Sequence, residues 1–228
     1  MYHVIYRTAL LGLPIHDLDN TYLLNLVKHL KILYCVDVLG FCLMSNRFHL
    51  VFRMHPEDEV SDEEIIKRYK EYYGEDKCLA KEHVGEVRKR LCSLAAYLNI
   101  KQGFTRYYNK KYNRRAYFWG DRFKSMIVED GRTLVNLLAY VDLNPKRAGV
   151  VKRPEDYKWS SLGYHVQTGN KGDLLSVDFG MKEWNEHKPK EIVCKYREFV
   201  YETGAADRDQ MSDIRGQGEK TITGGCTI

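Results

Sequence analysis

Long apolar runs are missing from this chain: Arg, Lys, Asp or His interrupts every stretch approaching the roughly 18 residues that a membrane helix needs. The opening MYHVIYRTALLG places Tyr2, His3 and Arg7 where a secretory leader needs unbroken apolarity, so secretion is not expected. Cysteine is sparse and dispersed. The six residues, at 35, 42, 78, 92, 194 and 226, form no CxxC pair, which argues against a structural zinc site and a disulfide framework. No internal repeat is visible. These absences predict a reduced, cytoplasmic protein without a membrane partner. What is present, 44% hydrophobic and 29% charged residues over 228 positions, is the composition of a globular chain with ample core.

The net charge of +5 is too mild to name a partner, but its distribution is uneven. Between Lys101 and Lys124 acids are nearly absent. Asp121 stands alone against Lys101, Arg106, Lys110, Lys111, Arg114, Arg115, Arg122 and Lys124. Phe104, Tyr107, Tyr108, Tyr112, Tyr117, Phe118, Trp119 and Phe123 are interleaved with them. Cations neutralise phosphates and aromatic faces stack on unpaired bases, so the mixture suits single-stranded or hairpin nucleic acid. A solvated basic face over core aromatics would read the same way.

The spacing predicts a short strand over Tyr2 to Thr8 and a helix over Asp17 to Leu33. That helix should use Leu18, Tyr22, Leu26 and Leu30 as its apolar positions and Asp19 or Asn20 as its cap. Strands follow over Tyr34 to Leu43 and Arg47 to Met54, with Met44-Ser45-Asn46 between them. Ser61-Asp62-Glu63-Glu64 is a capping box opening a helix to about Tyr73. A long helix is expected from Val84 to about Tyr108, another strand within Phe118 to Val128, and a helix from Arg132 that stops before Pro145. This order fits an α+β fold with an antiparallel sheet covered by helices on one face. Asp209 to Ile228, rich in Gly, Ser and Thr, is expected to be disordered.

Three segments, LGFCLMSNRFHLVFRMHP (39–56), RYYNKKYNRRAYFWGDRFKSMIVEDG (106–131) and LLAYVDLNPKRAGVVKRPEDYKWSS (137–161), resemble the REP-associated tyrosine transposases. These form the single-tyrosine branch of the HUH nuclease superfamily. YHVIYR at the start and YREFVYETG (196–204) extend the likeness over most of the chain. The resemblance implies a ferredoxin-like core over residues 1–165, with a helical insertion at about 57–98 and a C-terminal extension over 166–208. It implies cleavage and rejoining of single-stranded DNA near hairpins through a tyrosine nucleophile and a divalent metal, Mg²⁺ or Mn²⁺. A homodimer is left open.

In that family two histidines flanking an apolar residue share one face of a strand and bind the metal together. Here the stretch reads Asn46-Arg47-Phe48-His49. His49 matches the second histidine, but Arg47 replaces the first, and a guanidinium has no lone pair for a metal. Metal binding is therefore expected to be weak. Tyr140 matches the nucleophile, and Asn144, one helical turn on, matches the third metal ligand. The covalent product implied is a 5′-phosphotyrosine with a free 3′-hydroxyl. Phosphate contacts are expected from Arg47, Lys110, Lys111, Arg114, Arg115, Arg122 and Lys124. Two functions stay open: a DNA-cleaving transposase, in which Arg47 could replace the metal as a fixed cation, and a DNA-binding relic or regulator that no longer cuts. An RNA-binding protein with a similar sheet is a third, without support from the motifs.

Overall fold

Strand β1 (Tyr2–Arg7), helix α1 (Asp17–Leu33) and strands β2 (Val36–Met44) and β3 (Arg47–Met54) open a computed structural model. It describes residues 1–12, 14–120, 124–181, 184 and 188–218, of 205–218 the backbone only. Helices α2 (Asp62–Tyr73), α3 (Val84–Leu91), α4 (Leu94–Tyr97) and α5 (Ile100–Lys111) follow. Then come β4 (Lys124–Ile127), α6 (Arg132–Arg147), α7 (Ser161–Thr168) and α8 (Pro189–Gly218). The sheet is antiparallel in the order β2-β3-β1-β4. With α1 and α5 as the two crossovers, this is the ferredoxin-like arrangement within an α+β fold. No helix among the described residues is long and apolar enough to cross a membrane.

The strands form because β-branched and aromatic residues alternate between two buried faces. One face carries Val4, Tyr6, Phe41, Leu43, Phe48, Leu50 and Phe52, and packs with Leu23, Leu24 and Val27 of α1 and Ile100 and Phe104 of α5. The expectation of helices on one face alone is corrected: α6 lies on the other, while α7 begins beside the outer edge of β2 and packs its Tyr164 against Phe41 of the first face. Gly40 of β2 permits this approach, since a Cβ there would stand 2.4 Å from the Leu138 Cδ2 of α6. Ser161, at the start of α7, exchanges hydrogen bonds with the Phe41 backbone.

Several local expectations shift for physical reasons. Helix α1 has the expected span, but its buried positions are Leu23, Leu24 and Val27, while Leu18 is exposed. Its cap is His16, whose N–H donates to the Asp19 carboxylate (3.0 Å). The helix expected from Val84 to Tyr108 is three helices. The chain turns at Ser93, which is extended, and again after Leu98, so that α5 can lie against α1 with Gly103 facing Leu26. Helix α6 continues through Pro145 to Arg147. Proline lacks the N–H that would bond the Val141 carbonyl. The Asn144 side-chain amide instead donates to the Tyr140 and Val141 carbonyls (3.1 and 3.4 Å), which lets the helix run on.

The insertion buttresses α1. The Ser61 hydroxyl accepts from the Glu64 N–H as expected, and the Arg68 guanidinium of α2 donates to the Lys31, Ile32 and Tyr34 carbonyls at the α1 C-terminus. Residues Met1–Met181 form one compact unit, extending past the boundary expected at 165, because Leu174 and Leu175 join the core and the Ser176 N–H bonds Val38. The second unit, Lys182–Ile228, is built on α8. Helix α8 takes in Asp209–Gly218, part of the tail expected to be disordered; residues 219–228 lie outside the described ones.

Candidate nucleic-acid interface

Antiparallel pairing sorts the second sheet face into rows, because directly opposed residues point the same way. One row is Cys42, His49, Ile5 and Lys124; the next, at the end of the sheet, is Met44, Arg47 and Arg7. Arg47 thus shares a face with His49, as its i−2 spacing predicts. It also stands directly opposite another arginine. Like charges opposed across two strands repel, and among the described residues neither Arg7 nor Arg47 has a carboxylate partner. Arg47 is half-buried with its Nε unpartnered, and Arg7 is exposed beside a cavity of about 360 Å³ that also takes in Asn46 and Gly120.

His49 is buried and hydrogen-bonded through Nδ1 to the Nε2 of His3, also buried, at 3.1 Å. Burial holds both imidazoles neutral. His3 falls to about 4, and His49 to about 3 through burial first, then His3 and the Arg47 cation. Among the described residues the outer nitrogens, His3 Nδ1 and His49 Nε2, have no partner.

Tyr140 faces this pair from α6. Its neighbours Leu138, Ala139, Val141, Asp142 and Leu143 are buried, whereas Tyr140 is 44% exposed. Its ring lies edge-on to His49 with centroids 6.3 Å apart, and the Arg147 guanidinium sits 5.0 Å from its centroid. Arg147 also donates to the Tyr140 carbonyl (3.1 Å). The helix is fixed in rotation by buried Asp142, whose Oδ1 accepts from Ser161 Oγ and the Leu162 N–H.

Of the sequence candidates, Arg47, His49 and Lys124 thus lie on one sheet face, Tyr140 stands against His49, and Asn144 sits one helical turn beyond Tyr140. Three further residues escaped sequence reasoning. His3 and Arg7 lie at strand spacing from each other, but nothing in YHVIYR told which strand would lie beside β1. Arg147 is two helical turns from Tyr140, a spacing that could have found it.

The basic-aromatic window splits. Lys111 is spent on the fold: its Nζ is 2.6 Å from buried Asp19, which also accepts from Tyr112. Burial opposes the Lys111 charge, but Asp19 and the tyrosines outweigh it and raise its pKa. Phe104, Tyr108 and Phe118 are core. Lys110 is exposed at the end of α5 and Arg114 is half-buried. Arg115 lines a groove of about 850 Å³ with Lys101, Gln102, Asn109 and Tyr117, Tyr117 being 90% exposed. Arg122 lies outside the described residues.

The donors do not fit Mg²⁺ or Mn²⁺. These ions prefer oxygen ligands, carboxylates above all, in octahedral geometry. Among the described residues, His49 offers one unpartnered imidazole nitrogen beside the Arg47 guanidinium, and on α6 the Asn144 amide nitrogen is held by backbone carbonyls. Among the described residues, no three His, Cys, Asp or Glu side chains are grouped to hold a metal.

No family model matches the chain, and no curated protein matches it. A solved structure described as a REP-associated tyrosine transposase bound to a REP hairpin is similar over 77% of this chain and 84% of that one. The TM-score is 0.48 and the identity 10%.

Proposed function

We propose that this chain binds single-stranded or hairpin DNA across the sheet face that carries Arg7, Arg47 and Lys124, with Tyr140 placed beside the bound phosphates. The observation that carries this reading is the opposed Arg7–Arg47 pair. Two cations held face to face, with no carboxylate partner among the described residues, are relieved by an anion that bridges them, and the guanidinium fork suits a phosphate. Lys124 in the adjoining row and Arg147 over the Tyr140 ring extend the positive field along one path.

Should the strand be cut, the Tyr140 Oη forms the bond to phosphorus, the P–O3′ bond breaks, and the 3′ oxygen leaves as a hydroxyl after taking up a proton. A 5′-phosphotyrosine remains. The arginines then stabilise charge on the phosphoryl oxygens. A second reading, binding without cutting, is favoured by Arg47 and the poor metal donor set.

Labelled hairpin DNA titrated at several salt concentrations tests the binding. Arg47→Ala with Lys124→Ala should weaken it and flatten the log–log salt slope by about two units, roughly one per lost phosphate contact. If Arg114→Ala with Arg115→Ala flattens the slope instead, the DNA follows the α5 groove and this path is wrong. A denaturant-resistant protein–DNA adduct that disappears in Tyr140→Phe would establish cutting, and its absence from the unaltered protein leaves the binding reading. Because the phenol is exposed, Tyr140→Phe should change stability by less than about 0.5 kcal/mol.

A further inference from the structure

Two cysteines far apart in sequence meet where the insertion joins the core. Cys35 follows the C-cap of α1, and its N–H donates to the Leu91 carbonyl at 3.2 Å. Cys92, the next residue, caps α3 through its N–H to Arg88. Both cysteines belong to the same apolar cluster, with Leu33, Ile65 and Leu91. Cys35 is buried, Cys92 partly exposed, and a cavity of about 310 Å³ lined by Cys35, His55, Glu64 and Arg68 reaches Cys35.

We propose that Cys35 and Cys92 are a redox-active pair that forms a reversible disulfide by exchange with a small disulfide such as oxidised glutathione, stapling α3 to the end of α1. A disulfide requires Cα atoms within about 7 Å and sulfurs already near each other. The backbone bond beside Cys35 and the packing of Cys92 against the cluster that holds Cys35 bring the two side chains together. The two thiols differ in chemistry. Burial pushes Cys35 up to about 12. Cys92 is also raised, by burial first and with Glu57 adding to it, while Arg88 and Arg68 oppose the rise. Being the partly exposed thiol of the two, Cys92 is the group that glutathione reaches and therefore the attacking one. Its thiolate breaks the glutathione S–S bond, forming a mixed disulfide and releasing one glutathione thiolate. Cys35 then attacks the Cys92 sulfur, its proton goes to the departing glutathione, and the balance is two protein thiols plus one disulfide giving a protein disulfide plus two glutathione thiols.

The test uses the reduced full chain, folded, with oxidised glutathione, followed by a non-reducing digest. A peptide joining Cys35 to Cys92 is expected, together with a rise of several degrees in Tm that dithiothreitol reverses. Cys35→Ala should trap glutathione on Cys92, and Cys92→Ala should leave Cys35 unmodified. Cys78 and Cys194, both exposed, show that the reagent is active. Glutathione on those two without the Cys35–Cys92 peptide would overturn the proposal. So would a linkage that forms only after the chain is unfolded in urea. A Cys35→Ala chain that failed to fold would leave the wild-type peptide and the Cys92→Ala arm to decide.

Discussion

Arg47 decides between two chemistries at one position. As arginine it places a permanent charge on the His49 face, and a divalent ion about 5 Å away would meet a repulsion of a few kcal/mol even at an effective dielectric of ~20 to 40. Arg47→His removes that charge and adds an imidazole at the i−2 position on the same strand face. Mn²⁺ affinity measured by calorimetry should then rise by about tenfold or more. Asn144 donates from its Nδ2 to the Tyr140 and Val141 carbonyls, so its Oδ1 is the atom left to act as a third ligand. Equal Mn²⁺ binding by both proteins would mean that Arg47 does not control the site. This departure was legible in the sequence, because Asn46-Arg47-Phe48-His49 shows it directly. The neighbour opposite was not. That Arg7 faces Arg47, and His3 bonds His49, follows from the β1–β3 register, which the tight Ser45-Asn46 turn of the other hairpin does not fix.

At the scale of elements, single side chains join helices whose own propensities do not hold them. Asp19 opens α1, where a carboxylate favours the helix N-terminus, and reaches Lys111 and Tyr112 at the end of α5. Burial raises its pKa, and the bonds from Lys111, His16 and Tyr112 more than reverse this. Lys111→Ala should leave the buried carboxylate short of its cation and cost about 3 kcal/mol in urea unfolding, while hairpin binding keeps its salt slope. A flattened slope would return Lys111 to the DNA surface. Asn144→Ala should cost about 1 to 2 kcal/mol by leaving the Val141 carbonyl beside Pro145 without a donor, and a neutral result would show that the helix tolerates it. The local pattern of periodicity, β-branched and aromatic content and the Ser61 capping box revealed the ends of α1, β2, β3 and α2 to within two residues. It failed at α3 to α5, where turns are imposed by packing against α1, and at Pro145, where a side chain supplies what the backbone lacks. The charge window misled for a related reason: composition does not say which lysine answers a buried aspartate.

For the molecule as a whole, acid sensitivity follows from histidines buried neutral. His3, His49 and His165 fall to about 4, 3 and 4, chiefly through burial, against an ordinary value of 6.5. In the unfolded chain each takes up a proton as pH drops below 6.5; in the folded protein none does until near pH 4. The unfolded state therefore binds more protons throughout this window, so stability falls as pH falls. Between pH 7.5 and pH 5 the folded carboxylates scarcely titrate, which leaves the histidines as the main source. A group with an unfolded pKa of 6.5 loses about 1.4 kcal/mol per unit, or about 2 kcal/mol at pH 5. Urea midpoints should drop over this range, and most of the loss should be complete before Asp17 and Asp19, held low by their lysine partners, begin to titrate. Replacing His165 by Gln, away from the candidate interface, should remove about a third of the slope without altering hairpin binding at pH 7.5. A pH-independent midpoint from 7.5 to 5 would mean that the buried imidazoles take up protons in the folded state, and that the His3–His49 pair beside Tyr140 is open to water.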